Sequence, residues 1–217
     1  MILSNEKPLI PKLSYKGLFL TVTLDGTENQ VWRSLVVPAD GHLGWLHAVL
    51  QISMGWTARH LHQFTFKDKR FSDPSFELYD PLTIDEAKGC LDKLLVRPTD
   101  ALKYQYDFGA SWEHTIVLTK IDLIENPTVA LCVDGSGERP PENCGGIEGY
   151  KTLLRTKSRM NELATPTTKQ GVRPIHHRPG FNLPSINLSL QALPWPSVSS
   201  RSLKRIIRFH KPSKQAK

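Results

Sequence analysis

Two histidines separated by a single residue, His60 and His62, have the chemistry of metal ligands. On a strand, residues i and i+2 share a face, so both rings would point the same way. Asp107, Glu113 and His114 flank a Phe-Gly turn at Phe108 and Gly109, with Trp112 beside it. Cys132, Glu142 and Cys144 bracket a Gly/Pro-rich stretch, DGSGERPPENCGGIEG. Imidazole, thiolate and carboxylate together make a transition-metal ligand set, and Zn²⁺ is the ion that suits it best. The metal-ligating candidates are therefore His60, His62, His114, Cys132 and Cys144, with zinc as the cofactor they imply. The two cysteines lack the CxxC spacing of a zinc knuckle, however. The competing reading packs His62 beside Phe64, pairs His114 across a hairpin and leaves both cysteines as small core residues.

Other constellations have plainer readings. Trp32, Trp45, Trp56 and Trp112 could stack nucleic-acid bases, but each lies within or beside an apolar-periodic element and suits core or rim packing better. Gly135, Gly137, Gly145 and Gly146 could cradle an anion through backbone N–H groups. No Walker lysine follows them and they do not join a strand to a helix at the required spacing, so a long ordered loop is expected.

The net charge of +7 divides unevenly. Residues 1–150 carry 14 Lys+Arg against 20 Asp+Glu, a net of −6. Residues 151–217 carry 14 Lys+Arg against the single acid Glu162, a net of +13. Any inference from basicity to nucleic acid is therefore one about the C-terminal third. There Arg201, Lys204, Arg205 and Arg208 are the candidates for non-specific phosphate contact. No apolar run of about 18 residues exists, so no membrane-spanning helix is expected. The first residues lack the pattern of a signal peptide, and three cysteines do not make a disulfide framework; a reducing cytoplasm is the expected location.

These side chains need elements to hold them. Residues 18–24 (LFLTVTL) alternate with period two, the mark of a strand with one buried face, and 31–37 (VWRSLVV) read as its hairpin partner. Pro38 ends the second strand, Asp40 is placed to cap a helix over 41–53, and Gly55 stops that helix. Residues 62–67 read as a third strand and 68–81 as a polar loop. Thr83 and Glu86 have capping-box spacing before a short helix with Leu91, Leu94 and Leu95. Residues 102–107 and 114–121 form a further hairpin, and 150–160 a closing helix. The expected fold is a single α+β domain over 14–160 with a β-grasp-like ββαβ N-terminal half. Residues 161–217, rich in Pro, Ser and Arg, are expected to be a disordered basic tail.

Three stretches, VWRSLVVPADGHLGWLHAVLQISMGWTARHLHQFTF, YDFGASWEHTIVL and CVDGSGERPPENCGGIEGY, resemble in order the signature regions of the plasmid pRiA4b ORF-3-like proteins. These are also known as insertion-element passenger or TnpR-like proteins, found in bacteria and archaea near mobile elements. The resemblance spans about 15–154 and implies an α+β fold with little biochemistry attached. Asp107, Gly109, Trp112, Glu113 and Glu142 are its motif residues here. Two departures stand out: Ala110 and Ser111 occupy positions where the family usually has aspartates, and Arg139 stands where a Cys often precedes Pro-Pro-Glu. The pattern is not legible beyond about Arg155, which suggests an end read in a frame other than the family's. The TnpR label would need a nucleophilic serine with arginines to hold a phosphate; Ser4 and Ser14 precede Arg33, the first arginine, without such partners. The resemblance and the lack of a complete catalytic constellation imply a cytoplasmic, mobile-element-associated accessory protein that binds a protein or nucleic-acid partner without catalysis. The alternatives are a zinc-dependent enzyme using the His/Cys cluster, or nucleic-acid binding through the basic tail.

Overall fold

The alternation at the start of the chain is realised as β1 (Ser14–Leu24), in which Leu18, Leu20, Val22 and Leu24 are all fully buried. The structure, a computed structural model, describes residues 14–76, 80–125, 129–164 and 181–194. β1 pairs antiparallel with β2 (Trp32–Pro38), from Gly17 opposite Pro38 to Thr23 opposite Trp32. Its other edge pairs with β7 (Trp112–Glu125), from Ser14 opposite Glu125 to Leu24 opposite His114.

Between these pairings the chain forms α1 (Leu43–Met54), β3 (His62–Phe66), β4 (Lys69–Ser72), β5 (Thr83–Asp85), α2 (Leu91–Leu94) and β6 (Ala101–Tyr106). After β7 come β8 (Leu131–Ser136), α3 (Gly146–Ala164) and α4 (Leu183–Leu190). The described strands build one eight-stranded sheet in the order β5-β4-β3-β6-β7-β1-β2-β8. It is mixed, since β5 runs parallel to β4. The molecule is thus a single α+β domain.

All twelve residues of α1 are buried, and none of them carries an Asp, Glu, Lys or Arg. A helix apolar on every side must be covered on every side. One side reaches the sheet through His47 and Gln51, which meet Tyr104 of β6; α4 packs against the helix as well. Gly55 ends α1 in the left-handed region (φ 76°), as its lack of a Cβ allows.

Several expectations are corrected. His42, not Asp40, caps α1: its Nδ1 accepts the Trp45 N–H at 3.2 Å. Part of the stretch expected as polar loop is β4, hydrogen-bonded to β3. Thr83 opens β5 instead of capping a helix, because pairing with β4 claims the backbone of Thr83–Asp85. β1, β2, α1 and β3 do follow in ββαβ order, yet β6 and β7 stand between β1 and β3 in the sheet. The long β7 takes the whole free edge of β1, so β3 pairs with β4 and β6 instead.

The largest difference lies in the expected tail. Residues 181–194 include α4, whose Leu190 is fully buried, and Leu193 beyond it is 3% exposed. The Asn187 side chain accepts the Cys132 N–H at 2.8 Å and donates to the Cys132 carbonyl at 2.9 Å. One amide thereby supplies both bonds that a neighbouring strand would give to the edge strand β8. The Trp45 Nε1–H donates to the Pro194 carbonyl at 3.0 Å. The charge and prolines of residues 161–217 as a whole predict a tail, whereas the Leu and Asn side chains of 181–194, which carries no charged residue, complete the core. Of the other tail positions, 161–164 end α3, and 165–180 and 195–217, with Arg201, Lys204, Arg205 and Arg208, lie outside the described residues.

Candidate functional site

The three motifs meet at one place. At the end of α1, Trp56 turns its Nε1–H to the Pro140 carbonyl of the third motif at 2.9 Å. Thr57 gives its backbone N–H and its hydroxyl to the two carboxylate oxygens of Glu142, at 3.2 and 2.7 Å. From the second motif, the Tyr106 hydroxyl donates to Glu142 Oε1 at 2.6 Å. Glu142 therefore ties all three together with three charge-assisted hydrogen bonds. Burial and this carboxylate hold the Tyr106 phenol well above its usual range.

Behind Glu142 lies a wall of rings. Register pairs Tyr104 with His114 and Tyr106 with Trp112 across β6 and β7, and alternation brings all four to one face. Trp56 stacks on Tyr106 with centroids 5.2 Å apart, tilts against Trp112 at 5.6 Å and meets His114 edge-on at 5.3 Å. His114 and Trp112 are fully buried, and among the described residues neither His114 Nε2 nor Trp112 Nε1 has a hydrogen-bond partner. Burial pulls the His114 pKa down to about 4, so the ring is neutral at physiological pH.

A second line of buried polar groups runs beside this wall. His62 Nε2 and Glu86 Oε2 are 2.7 Å apart, both almost fully buried. His47 of α1 stacks on His62 with centroids 3.5 Å apart and planes within 5°. His47 Nδ1 lies 2.8 Å from the Tyr104 hydroxyl, which also accepts from Gln51 Nε2 at 2.9 Å. Gln51 Oε1 in turn accepts the Ala58 N–H at 2.8 Å. That last bond matters because Ala58 sits at φ 51°, a strained conformation for a residue with a Cβ.

Of the residues singled out in the sequence, His60 and His62 do not lie on one strand. β3 begins at His62, so His60 precedes the strand; it stays 37% exposed, 3.7 Å from Asp107 Oδ2, while His62 is buried. The Asp107 carboxylate accepts the N–H groups of Gly109 and Ala110, shaping the hairpin turn, and exposed Glu113 accepts from Ser111. Cys132 donates its thiol to the Asp134 carbonyl and Cys144 to that of Gly146. Burial pushes the Cys132 thiol up to about 11 and raises that of Cys144, the opposite of what a thiolate ligand or nucleophile needs. Among the described residues, no group of three or more His, Cys, Asp or Glu is placed to hold a metal ion. Arg139, standing where a Cys was expected, donates to the Gly55 carbonyl at 2.5 Å.

His47, Gln51, Thr57, Glu86, Tyr104 and Tyr106 escaped the sequence reading. The only polar residues inside apolar α1 besides Ser53 are His47 and Gln51, four apart on one face, and that was a usable signal. Nothing local marks Glu86, which had the spacing of a capping residue.

The plasmid pRiA4b ORF-3-like family model matches residues 16–183, well past Arg155, where the pattern had been lost to sequence reading. The match crosses the supposed change of frame, and Leu190 and Leu193 further along are buried in the core. The chain is 36% identical over 132 residues to the uncharacterized protein y4hQ of Sinorhizobium fredii, covering 61% of this chain and 68% of that one. It is also similar to the crystal structure of a protein of unknown function, MM3350, from Methanosarcina mazei Go1. That likeness has a TM-score of 0.59 at 24% identity and covers 74% of this chain and 96% of the other, which speaks to the fold alone. With its three motifs folded onto one carboxylate and its match running from β1 into α4, the chain belongs to the mobile-element-associated plasmid pRiA4b ORF-3-like family.

Proposed function

We propose that the chain is a non-catalytic accessory protein of the cytoplasm that binds a protein partner on the face where the three motifs meet. The observation that carries this reading is strained backbone gathered around exposed apolar side chains. Ala58, Asp107 and Ser111 all have positive φ (51°, 56° and 49°), and they flank Leu61 and Phe108, each 38% exposed. The two loops are joined by the Asp107 N–H, which donates to the Leu61 carbonyl at 2.8 Å. Each strained residue costs on the order of 1 kcal/mol, and such strain gathers at binding and switch sites. Beneath them Glu142 is committed to Thr57 and Tyr106, and Gln51 to Tyr104, which suits a rigid platform better than a reacting centre. The raised thiol pKa values and the scattered metal candidates weigh against the zinc enzyme.

A photo-crosslinking residue placed at Phe108 tests the reading, with one at Leu123, at the far end of β7, as control. The expected result is a discrete adduct from position 108 alone, suppressed by excess wild-type protein and not by a Leu61→Asp variant. Equal labelling from both positions would refute the binding face. Stoichiometric zinc in the purified protein, lost in the His62→Ala and Cys144→Ala variants, would install the metal enzyme in its place.

A further inference from the structure

A different face of the molecule carries a surplus of positive charge. α3 is 19 residues long, about 28 Å, and only its first turns are seated on the domain. Tyr150 is buried and Ile147 and Leu154 are half-buried; from Thr152 to Met160 every other residue is exposed. Residues 151–160 contain Lys151, Arg155, Lys157 and Arg159 and no acid. Lys151, Arg155 and Arg159 recur every four residues, a rise of about 6 Å per step along one side of the helix. Lys151 and Lys157 touch Glu148 and Glu138, but these are exposed contacts worth little and easily exchanged.

Beside this stripe is a cleft of about 350 Å³ between α3 and the β1–β2 turn. Lys151, Arg155 and Ser158 line one wall, and Thr27, Glu28 and Gln30 the other. Two cations against one carboxylate leave the lining of the cleft net positive. The rest of the domain works the other way, since residues 1–150 sum to −6. Among the described residues, the positive surplus is therefore concentrated on α3 and its cleft.

We infer that α3 and the adjoining cleft bind the phosphate backbone of a nucleic acid, with Arg155 and Arg159 as contacts along the helix. A row of evenly spaced cations on a projecting helix matches a polyanion carrying one charge per about 1.7 Å of duplex axis. A membrane surface fits less well. Leu153 and Met160 are the large apolar side chains exposed on residues 151–160, too few to bury one side of the helix in lipid.

The test uses the full chain and a fluorescein-labelled 20-base-pair duplex, with binding followed by anisotropy between 50 and 200 mM salt. Arg155→Glu/Arg159→Glu should weaken binding by about tenfold or more and flatten the log–log salt slope by about 2. Reversing Arg201, Lys204, Arg205 and Arg208 together should cost less than the α3 pair. Both α3 positions are exposed, so the melting temperature should not move; the milder Arg155→Gln/Arg159→Gln variant should fall between wild type and the reversal. The inference is overturned if the wild-type chain does not bind the duplex, if the α3 variants bind as wild type, or if the tail reversal has the larger effect. Sedimentation with vesicles of 30% phosphatidylserine that depends on Arg155 and Arg159, without duplex binding, would overturn it in favour of a membrane.

Discussion

His114 stands on the central strand β7, between Leu24 of β1 and Tyr104 of β6, with no route to water. Its folded-state pKa, about 4, lies below the 6.5 of an unfolded chain. Between those values the unfolded chain binds a proton that the folded one refuses, so stability is complete above about pH 6.5 and is lost as pH falls towards 4. The shift corresponds to a loss of about 3 kcal/mol. Urea unfolding at pH 7.5 and pH 4.5 should show this difference, and His114→Phe should shrink it. An unchanged difference would assign the acid sensitivity to another group. At the same scale, Arg33 shows how a buried charge is held without a carboxylate. Its guanidinium donates to the carbonyls of Ser53, Trp32, Ser136 and Gly137 and lies 4.8 Å over the Phe181 ring, and burial lowers its pKa to about 10. The Ser53 carbonyl is at the C-terminal end of α1, where a cation is favoured by the helix dipole.

Among the elements, α4 has the most to say about stability. It joins β8 through Asn187, fills the core with Leu190 and, through the Pro194 carbonyl just after it, satisfies the indole of Trp45. Removing residues 165–217 would expose apolar α1 and unpair the edge of β8. Leu190→Ala alone should cost about 3 kcal/mol, a typical penalty for an emptied core site. For a chain of this size that lowers the melting temperature by about 10 °C, and the truncation should cost at least as much. Differential scanning calorimetry of both variants decides it. A truncated chain melting within a degree or two of the full one would make α4 an appendage after all. Asn187→Leu separates the edge pairing from core filling, because it removes the two hydrogen bonds and keeps the bulk.

For the whole molecule, one sheet and one continuous core predict one unfolding event. Trp45, Trp56 and Trp112 are buried in that core, Trp56 contacts the third motif, and α1 touches elements from β6 to α4. Tryptophan fluorescence and far-ultraviolet circular dichroism should therefore report the same urea midpoint. Separate midpoints would mean that the β5-β4-β3 side unfolds independently.

What the residues determined unaided was local. Strict alternation put β1 in place, Pro38 and Gly55 bounded β2 and α1, and the apolar spacing between them predicted a helix within two residues of its ends. These features rest on backbone sterics and on burying one face, which neighbours in sequence decide. The motifs were legible too, as three separate strings. That they converge on Glu142 depends on β6 and β7 pairing in one register and on the third motif folding back over the end of α1. Those are contacts between residues 36 to 85 positions apart, and no local pattern encodes them. For the same reason neither the pairing of His62 with Glu86 nor the cover that α4 gives to a sheet edge can be read from the segments alone. In each case a long-range contact outweighed the composition of the segment.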